Sequence, residues 1–224
     1  MTTYAFGDVH GCLDPLQKLL ARCLDELSGR TATLVFLGDY IDRGPNSKDV
    51  IQLLMDLQRN ESRLQVICLT GNHESMALSV AKGSLAQAYW MSFGGAATLR
   101  SYGVKQAKEL PKQHLGWLQS LPTRFDDGLR LFVHAGIRPD SSLDRQSEDD
   151  LLWIREPFLS STADHGRLIV HGHTPTKNFL PDLRPNRLNL DSGAVFGGSL
   201  TAAVFNNCRS EPIRFLSQPC SPCV

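Results

Sequence analysis

The feature that most constrains the fold of this chain is a set of five short polar motifs, the first four of which each follow an apolar run. The motifs combine glycine with aspartate, asparagine and histidine, and they read Gly7-Asp8-Val9-His10-Gly11, Gly38-Asp39-Tyr40-Ile41-Asp42-Arg43-Gly44, Gly71-Asn72-His73-Glu74, His134-Ala135-Gly136 and His171-Gly172-His173-Thr174. Side chains that follow successive parallel strands collect at one edge of a sheet. The pattern therefore favours an α/β protein with a polar site beyond the ends of its strands.

The first third of the chain repeats a strand, a motif and a helix. Apolar runs predict strands at residues 3–6, 32–37 and 64–69, and apolar residues recur with helical spacing at residues 13–27 and from Val50 onward. We expect Asn46 or Ser47 to cap the second helix, and Asn72 lies where a third helix begins. This alternation predicts parallel strands joined by crossover helices.

The rest of the chain has a different pattern. Residues 81–121 are predicted to be irregular and helical, and five later strands are predicted at residues 129–133, 167–170, 187–190, 200–205 and 213–216. No linker or repeat separates the halves. We therefore expect one domain over residues 1–224, with two packed sheets, outer helices and a flexible tail at about residues 218–224.

Bulk properties narrow the class of protein. The chain has 224 residues, which suits one domain, and its 42% apolar and 21% charged residues are typical of a globular protein. Its formal net charge of zero argues against a nucleic-acid or membrane-surface binder. No apolar stretch approaches the roughly 20 residues of a membrane span, and the first motif begins too early to leave room for a signal peptide. We expect a cytoplasmic protein.

The six cysteines are interpreted as free thiols, as expected in a reducing compartment. Cys68 lies in an apolar run and is expected in the core. Cys220 and Cys223 have the spacing of a metal or redox motif, but a zinc site needs two further ligands. The pair is interpreted as part of a flexible tail.

Aspartate, histidine and asparagine are ligand types that suit a pair of divalent cations. Asp8, His10 and Asp39 could hold one cation, and Asp39 could bridge to a second. The second site could be completed by Asn72, His134 and His173. Any one of these motifs alone is typical of an ordinary turn. Five of them in one chain favour a two-metal phosphoesterase.

The ordered motifs resemble those of the phosphoprotein phosphatase family of metallophosphoesterases, and in particular the short bacterial and phage serine/threonine protein phosphatases. The resemblance runs from Phe6 to about Ala203. It implies a calcineurin-like α/β/β/α sandwich with two packed mixed sheets. It also implies two divalent metal ions as cofactors, with manganese expected and iron or zinc as alternatives.

The resemblance further implies roles for individual residues. His73 would be the general acid that protonates the leaving oxygen, and Asp42 would orient it. Arg43 and Arg155 would clamp the phosphate, with Arg155 matched on a local Trp-x-Arg pattern. The metal ligands implied are Asp8, His10, Asp39, Asn72, His134 and His173. His171 would be a turn or supporting residue rather than a ligand, and a hydroxide bridging the metals would attack phosphorus directly.

Three functions remain in view. The leading hypothesis is a serine/threonine protein phosphatase acting on a phosphorylated protein or a small phosphoester. The nearest alternative is a symmetrical diadenosine tetraphosphate hydrolase, whose family shares most motifs but usually has a small apolar residue where this chain has Asp42. Residues 4–11 and 190–195 also resemble segments of the nucleotide hydrolases. A non-catalytic metal-binding interaction protein fits less well, because every expected ligand is present. Neither a nucleic acid nor a membrane is expected as a partner, and the sequence leaves the oligomeric state open.

Overall fold

Two five-stranded mixed sheets form the centre of the protein in the computed structural model, which describes residues 1–223. The strands are β1 (Thr2–Phe6), β2 (Ala32–Phe36), β3 (Leu64–Cys68), β4 (Arg124–Asp126), β5 (Arg130–Val133), β6 (Leu168–His171), β7 (Asp182–Leu183), β8 (Arg187–Asn189), β9 (Ser199–Phe205) and β10 (Arg214–Pro219). The helices are α1 (Leu13–Leu27), α2 (Ser47–Asn60), α3 (Asn72–Ala81), α4 (Gln87–Ser92), α5 (Gly95–Tyr102), α6 (Lys112–Ser120) and α7 (Glu148–Trp153). Short 3₁₀ turns cover Ala107–Glu109, Leu143–Arg145 and Ala194–Phe196.

The strand order explains how distant motifs meet. The first sheet has the order β10-β9-β1-β2-β3, and β1, β2 and β3 are parallel. The second sheet has the order β4-β5-β6-β8-β7, and β5, β6 and β8 are parallel. Antiparallel strands complete both sheets, so both are mixed. The parallel strands of each sheet therefore carry the polar motifs at their carboxyl ends.

Alternating side chains of β1 show how the layers pack. Tyr4 and Phe6 belong to the apolar cluster that includes the buried faces of α1 and α2, whereas Ala5 belongs to a second cluster. That second cluster also contains Phe132 from β5 and Val170 from β6, so it fills the space between the sheets. A third cluster joins the outer face of β5 and β6 to α7. Because successive strand side chains point to opposite faces, one strand serves two layers. The result is an α/β/β/α arrangement.

The predicted elements agree closely with the structure. Helix α1 spans the predicted residues, and the predicted strands are found within about two residues at their starts. The two short strands β4 and β7 and the short helix α7 were missed. Asn46 is the N-cap of α2, but its side chain makes no capping hydrogen bond. The neighbouring Ser47 Oγ instead accepts the Asp42 N–H at 3.1 Å, so this turn faces the polar site.

The end of the chain packs against the body of the protein. Gln218 and Pro219 lie in β10, the side chain of Cys220 is buried, and the Cys223 N–H donates to Val195 O at 3.1 Å. The flexible tail and the single domain over residues 1–224 stay predictions, and Val224 lies outside the described residues. The described cysteines are free thiols, and Cys68 is buried as expected. Among the described helices, none combines the length and apolarity needed to cross a membrane.

Candidate two-metal centre

The predicted ligands lie at the carboxyl ends of strands from both sheets. Asp8 and His10 follow β1, Asp39 follows β2, and Asn72 begins α3 shortly after β3. His134 follows β5 and His173 follows β6. All six side chains are buried, with relative exposures between 0% for His134 and 9% for His173. The packing of one sheet on the other thus brings the two halves of the chain to one site.

Backbone strain is concentrated at this site. Seven non-glycine residues within residues 1–223 have positive φ, and five of them are predicted site residues: His10, Asp39, Asp42, Arg43 and His173. A positive φ costs free energy for residues with a side chain, and such strain persists where the surroundings over-determine the conformation. The strained turns aim several polar side chains inward from short loops.

Asp39 stands between two groups of possible ligand atoms. In one group, Asp39 Oδ2 lies 3.4 Å from His10 Nε2 and 3.9 Å from His73 Nε2. In the other, Asp39 Oδ1 lies 3.4 Å from His134 Nε2, and His173 offers a third ligand atom. Within each group the ligand atoms lie within 4.8 Å of one another. The two oxygens of Asp39 therefore face different groups, as a bridging carboxylate would.

Asn72 joins the second group through its side-chain oxygen. Asn72 Oδ1 lies 2.9 Å from His134 Nε2 and 3.0 Å from His173 Nδ1. The main-chain N–H of His73, the next residue, donates to Asp39 Oδ1 at 3.2 Å. The start of α3 is therefore fixed against the turn that carries Asp39.

The tautomers of two histidines test whether cations fit this site. His10 Nδ1 lies 2.8 Å from Ile41 O, and His134 Nδ1 lies 2.9 Å from Leu37 O. A carbonyl oxygen only accepts, so each Nδ1 carries the hydrogen and each Nε2 keeps its lone pair. Burial lowers the pKa of both rings and so favours the neutral form. Lone pairs that face a carboxylate at 3.4 Å match the donor set of a metal cation.

Three buried carboxylates also crowd the site. Burial raises the pKa of Asp8, and the nearby Asp191 and Asp39 raise it further. Burial likewise raises the pKa of Asp191 to about 7, with a further contribution from Asp39. The pKa of Asp39 is lowered: burial opposes its ionisation, but His134, His73 and His10 outweigh that effect. Bound cations would offset this excess of negative charge, so the residues present fit a metal centre.

Asp8 and His73 differ in placement from the ligand assignment made from the sequence. The Asp8 carboxylate accepts the main-chain N–H of His173 at 3.0 and 3.2 Å, and Asp8 is outside both groups of clustered ligand atoms. His73 lies within the first group instead. Asp8 therefore also acts as an anchor for the His173 turn, which holds the second sheet's ligand against β1.

His73 makes a direct ion pair with Asp42. His73 Nδ1 lies 2.7 Å from Asp42 Oδ2, and both side chains are almost completely buried. Asp42 also accepts hydrogen bonds from Trp90 Nε1 at 2.7 Å and Thr98 Oγ1 at 2.5 Å. Burial alone would lower the pKa of His73, but the Asp39 and Asp42 carboxylates outweigh it and raise that pKa. An imidazolium has no free lone pair for a metal, so this pairing favours a proton donor over a ligand.

The two predicted phosphate-binding arginines occupy different surroundings. Arg43 is half-buried, contacts His10 Nε2 through Nη1, and lies over the Phe196 ring at 5.5 Å from its centroid. Arg155 is exposed, but its charge contributes to lowering the pKa of His173 after the larger effect of burial. Both guanidiniums therefore border the cluster, one from each half of the chain.

His171 is fully buried and separate from both groups of ligand atoms. Its ring packs against Phe158 at 5.0 Å between centroids, and its Nδ1 lies 3.1 Å from Gly172 O. Burial first, and the Arg187 charge second, lower the pKa of His171 to about 3. The ring is thus a neutral packing residue behind the His173 turn.

The sequence indicated no role for Glu74, whose carboxylate accepts main-chain hydrogen bonds from two of the site's turns. Its carboxylate accepts main-chain N–H groups from Asp39 at 2.8 Å, Tyr40 at 2.8 Å and Ile41 at 3.3 Å. It also accepts the Gly71 N–H at 2.9 Å. Glu74 therefore ties the start of α3 to the turn after β2. Its place in the third motif was the only signal, and the motif alone did not reveal these partners.

Aromatic side chains form a rim around the cluster. Phe93 lies 6.4 Å from the His73 ring and 6.4 Å from the Trp153 ring, and Trp153 lies 6.2 Å from the His173 ring. Phe196 adds a 39% exposed face beside Arg43. We call Phe93, Trp153 and Phe196 the aromatic rim. These rings limit the access of water and offer flat apolar surfaces to a substrate.

Comparisons with known proteins agree with this geometry. A family model described as calcineurin-like phosphoesterase matches residues 1–201. Serine/threonine-protein phosphatase 1 of Salmonella typhimurium is 34% identical over 212 residues, covering 89% of this chain and 90% of that protein. The symmetrical bis(5'-nucleosyl)-tetraphosphatase of Dechloromonas aromatica is 34% identical over 292 residues, covering 99% of this chain and 97% of that protein.

A solved structure shares the architecture. A crystal structure of a protein assigned as a diadenosine tetraphosphatase superposes with a TM-score of 0.73 at 26% identity, covering 98% of this chain and 93% of that chain. The sandwich of two mixed sheets described above is therefore found in a protein of similar length. The relatives carry two different substrate names, so the comparisons leave the choice of substrate to the chemistry of the site.

Proposed function

Because this chain belongs to the calcineurin-like phosphoesterase family and is a metal-dependent phosphoester hydrolase, we propose that it acts as a serine/threonine protein phosphatase with manganese as its metal. The proposed ligands are Asp8, His10, Asp39, Asn72, His134 and His173. When bound, two divalent cations withdraw charge from the phosphate and lower the pKa of water. The steps that follow concern this chain's own side chains.

The arginines bind the substrate's phosphate. Arg43 and Arg155 border the cluster, and their planar guanidiniums match the spacing of two phosphate oxygens. Arg43 is held in place by its main-chain N–H, which donates to Gly94 O at 3.1 Å. Two such contacts orient the phosphate before reaction and offset the charge that repels an attacking oxygen nucleophile.

His73 supplies the proton to the leaving oxygen. Its Nδ1–H donates to Asp42, which leaves the Nε2–H directed toward the clustered ligand atoms. The raised pKa, caused by the Asp39 and Asp42 carboxylates, favours the protonated ring that an acid requires. Asp42 fixes the ring's orientation, and Trp90 and Thr98 in turn fix the carboxylate of Asp42. The proton to be donated is therefore the one on His73 Nε2.

The observation that carries the proposal is the 2.7 Å pairing of His73 with Asp42. A serine or threonine alkoxide is a strong base and a poor leaving group, so its departure gains from a positioned acid. A nucleotide phosphate leaves as a stable anion and gains far less. His73 and the three residues that position it, Asp42, Trp90 and Thr98, form a buried acid. This arrangement supports an alkyl phosphomonoester as substrate.

The second candidate is hydrolysis of a symmetrical dinucleoside tetraphosphate. The relative from Dechloromonas aromatica covers 99% of this chain. The aromatic rim, and in particular the exposed face of Phe196 beside Arg43, gives this candidate a structural basis, because adenine stacks on aromatic rings. The positioned acid has no comparable use in that reaction, so we rank it second.

Side-by-side kinetics test the choice. We expect the manganese-loaded protein to have a higher kcat/KM on a phosphoserine peptide than on diadenosine tetraphosphate. A Phe196→Ala variant serves as the comparison: because it removes the stacking face, it should lower kcat/KM on the dinucleotide more than on the peptide. A higher kcat/KM on the dinucleotide, lost in Phe196→Ala, would reverse the ranking.

A further inference from the structure

A second polar cavity lies beside the turn that carries His173. Its volume is about 460 Å³, within the range of roughly 300–1,000 Å³ typical of small-molecule sites. Its lining includes Thr174, Thr176 and Lys177 from the segment after His173, and Arg184 and Arg187 from the β7–β8 region. This cavity shares none of its lining residues with the proposed metal and phosphate ligands.

The unpartnered polar atoms of the protein collect here. Six buried side-chain nitrogen or oxygen atoms in residues 1–223 have no hydrogen-bond partner. Four of them belong to residues that line this cavity: Arg187 Nε, Arg187 Nη1, Thr174 Oγ1 and Thr176 Oγ1. Buried polar groups are nearly always paired, so a concentration of unpaired groups indicates a missing ligand.

Arg187 is the strongest of these observations. Its relative exposure is only 6%. One nitrogen, Nη2, donates to Leu159 O at 3.1 Å and pairs with Asp182 Oδ2 at 3.0 Å. The other two nitrogens remain without partners. Nε carries one N–H and Nη1 carries two, so three of the five donors of this buried guanidinium are unused, which is costly unless an acceptor reaches them.

The charge and the donor count favour a particular ligand. The cavity contains three cationic side chains, Lys177, Arg184 and Arg187, and one carboxylate, Asp182, which pairs with both arginines. The unused groups are N–H and O–H donors of three residues that line the cavity, Thr174, Thr176 and Arg187. A carboxylate has only two oxygens to accept them, whereas a tetrahedral phosphate has three or four.

We propose that this cavity binds a phosphate group and is distinct from the metal centre. Arg187 would donate through Nε and Nη1, the hydroxyls of Thr174 and Thr176 would also donate, and the exposed Lys177 would add positive charge. The volume leaves room for a phosphate carried on an organic molecule. Thr174 directly follows His173, and its carbonyl accepts the Asn189 side chain at 2.8 Å, so ligand binding would brace the His173 turn.

Equilibrium dialysis with labelled orthophosphate tests the site on the manganese-loaded protein. We expect two bound phosphates per chain in the wild type and, at the same phosphate concentration, fewer than two but at least one in an Arg43→Gln variant, which removes one of the two arginines of the catalytic phosphate clamp. Thr176→Val and Lys177→Gln should weaken the remaining phosphate about tenfold, as expected for the loss of one charge-assisted donor. Neither should change kcat on p-nitrophenyl phosphate.

Two further variants make the result decisive. Arg187→Gln should abolish binding of the second phosphate. Because Arg187 is buried, this variant could fail to fold, and the test then rests on the variants of the half-buried Thr176 and the exposed Lys177. Lys82→Gln, an exposed lysine outside this cavity, is the charge-matched control and should leave binding unchanged. A wild type that binds one phosphate, lost in Arg43→Gln, overturns the proposal. So does unchanged second-site binding in Thr176→Val and Lys177→Gln.

The source of the phosphate is separated by competition. Adenosine monophosphate is added as a competitor to the Arg43→Gln variant. If it displaces labelled orthophosphate, the ligand is a phosphate carried on a nucleotide. Failure to displace it would identify free phosphate, and either result retains the site. Because the assay measures binding away from the clamp, its outcome is independent of which phosphoester the enzyme hydrolyses.

Discussion

At the scale of single residues, Asp42 illustrates how this site combines strain with hydrogen bonding. Its φ is 73°, a conformation that residues with side chains rarely adopt. Its main-chain N–H donates to Ser47 Oγ at 3.1 Å and Thr98 Oγ1 at 2.9 Å, and its carboxylate contacts His73, Trp90 and Thr98. These contacts offset the strain and hold the carboxylate where His73 needs it.

Replacement of His73 tests its role as the acid. We expect His73→Asn to reduce kcat on a phosphoserine peptide by roughly 10²–10⁴-fold, because a positioned acid contributes about that much. On p-nitrophenyl phosphate the loss should be smaller, since that leaving group needs little protonation. Metal content, measured by plasma mass spectrometry, should stay near the wild-type value.

Asp42→Asn provides the comparison for that experiment. It keeps the shape of the side chain but removes one of the two carboxylate charges, those of Asp39 and Asp42, that raise the pKa of His73. It should therefore also affect the peptide more than the aryl ester. Equal losses on both substrates in His73→Asn, or a loss of metal, would contradict the assignment of His73 as the acid.

Replacement of Arg43 tests phosphate binding. Arg43→Lys keeps the charge but loses the planar pair of donors, so we expect a higher KM and a lower kcat on p-nitrophenyl phosphate. Arg209 is exposed and is not one of the site residues, so Arg209→Lys is the control variant. Its KM and kcat should match those of the wild type. Wild-type kinetics in Arg43→Lys would show that the planar pair of guanidinium donors does not bind the phosphate.

Sequence alone indicated most of the residues that the site contains, because the ligand-type side chains lie in short motifs next to apolar runs. It did not indicate Asp191, whose burial beside Asp8 depends on how β8 ends. Nor did it indicate that Trp90 and Thr98 bind Asp42, since both lie in the irregular helical region. Such partners are set by tertiary packing between segments that are 48 and 56 residues apart.

At the scale of elements, helix α3 is attached to the turn after β2 through Glu74. Its two carboxylate oxygens accept four main-chain N–H groups, from Asp39, Tyr40, Ile41 and Gly71. A glutamine at this position would not accept all four equally, because its neutral amide has only one accepting oxygen. The alignment of Asn72 with Asp39 therefore depends on this residue.

Replacement of Glu74 tests this attachment. Glu74→Gln leaves buried N–H groups without partners, at a cost of about 1–3 kcal/mol each. We expect a lower free energy of unfolding in urea and weaker manganese binding by calorimetry. Glu148→Gln changes an exposed residue of α7 and is the matched control. A Glu74→Gln protein with wild-type stability and metal affinity would contradict the attachment.

The long elements were predictable and the short ones were not. Helix α1 has a buried stripe at Leu16, Leu19, Leu20, Cys23 and Leu27, a spacing that the sequence displays directly. Strands β4 and β7 have three and two residues and are largely exposed. Too short to show alternation, they form only because a neighbouring strand offers an edge to pair with.

At the scale of the whole molecule, the site exists only when the two sheets pack together. Asp8, Asp39 and Asn72 come from the first sheet's side, and His134 and His173 come from the second. The sequence predicted two sheets and a site shared by motifs from both halves, but it did not show which packing of the sheets would bring the carboxyl ends of β5 and β6 to those of β1 and β2. That orientation follows from the apolar cluster shared by both sheets.

Metal removal should therefore weaken the whole fold. Cations that bind only the folded state stabilise it by about 2.7 kcal/mol per site at a concentration of 100 times Kd. One kcal/mol shifts Tm by about 2–4 °C in a protein of this size. We expect dialysis against a chelator to lower Tm by about 5 °C or more, measured by circular dichroism, with recovery on adding manganese. An unchanged Tm would contradict a structural link between the sheets through the metals.

Metal content is the most direct test of the central claim that Asp39 joins two cation sites. Manganese-saturated wild-type protein, freed of excess metal by gel filtration, should contain two ions per chain by plasma mass spectrometry, one for each group of ligand atoms. Asp39→Asn should lower the affinity of both sites together and bring the content well below that value. A wild type that holds no manganese, or an Asp39→Asn protein that still holds two ions, would contradict the account.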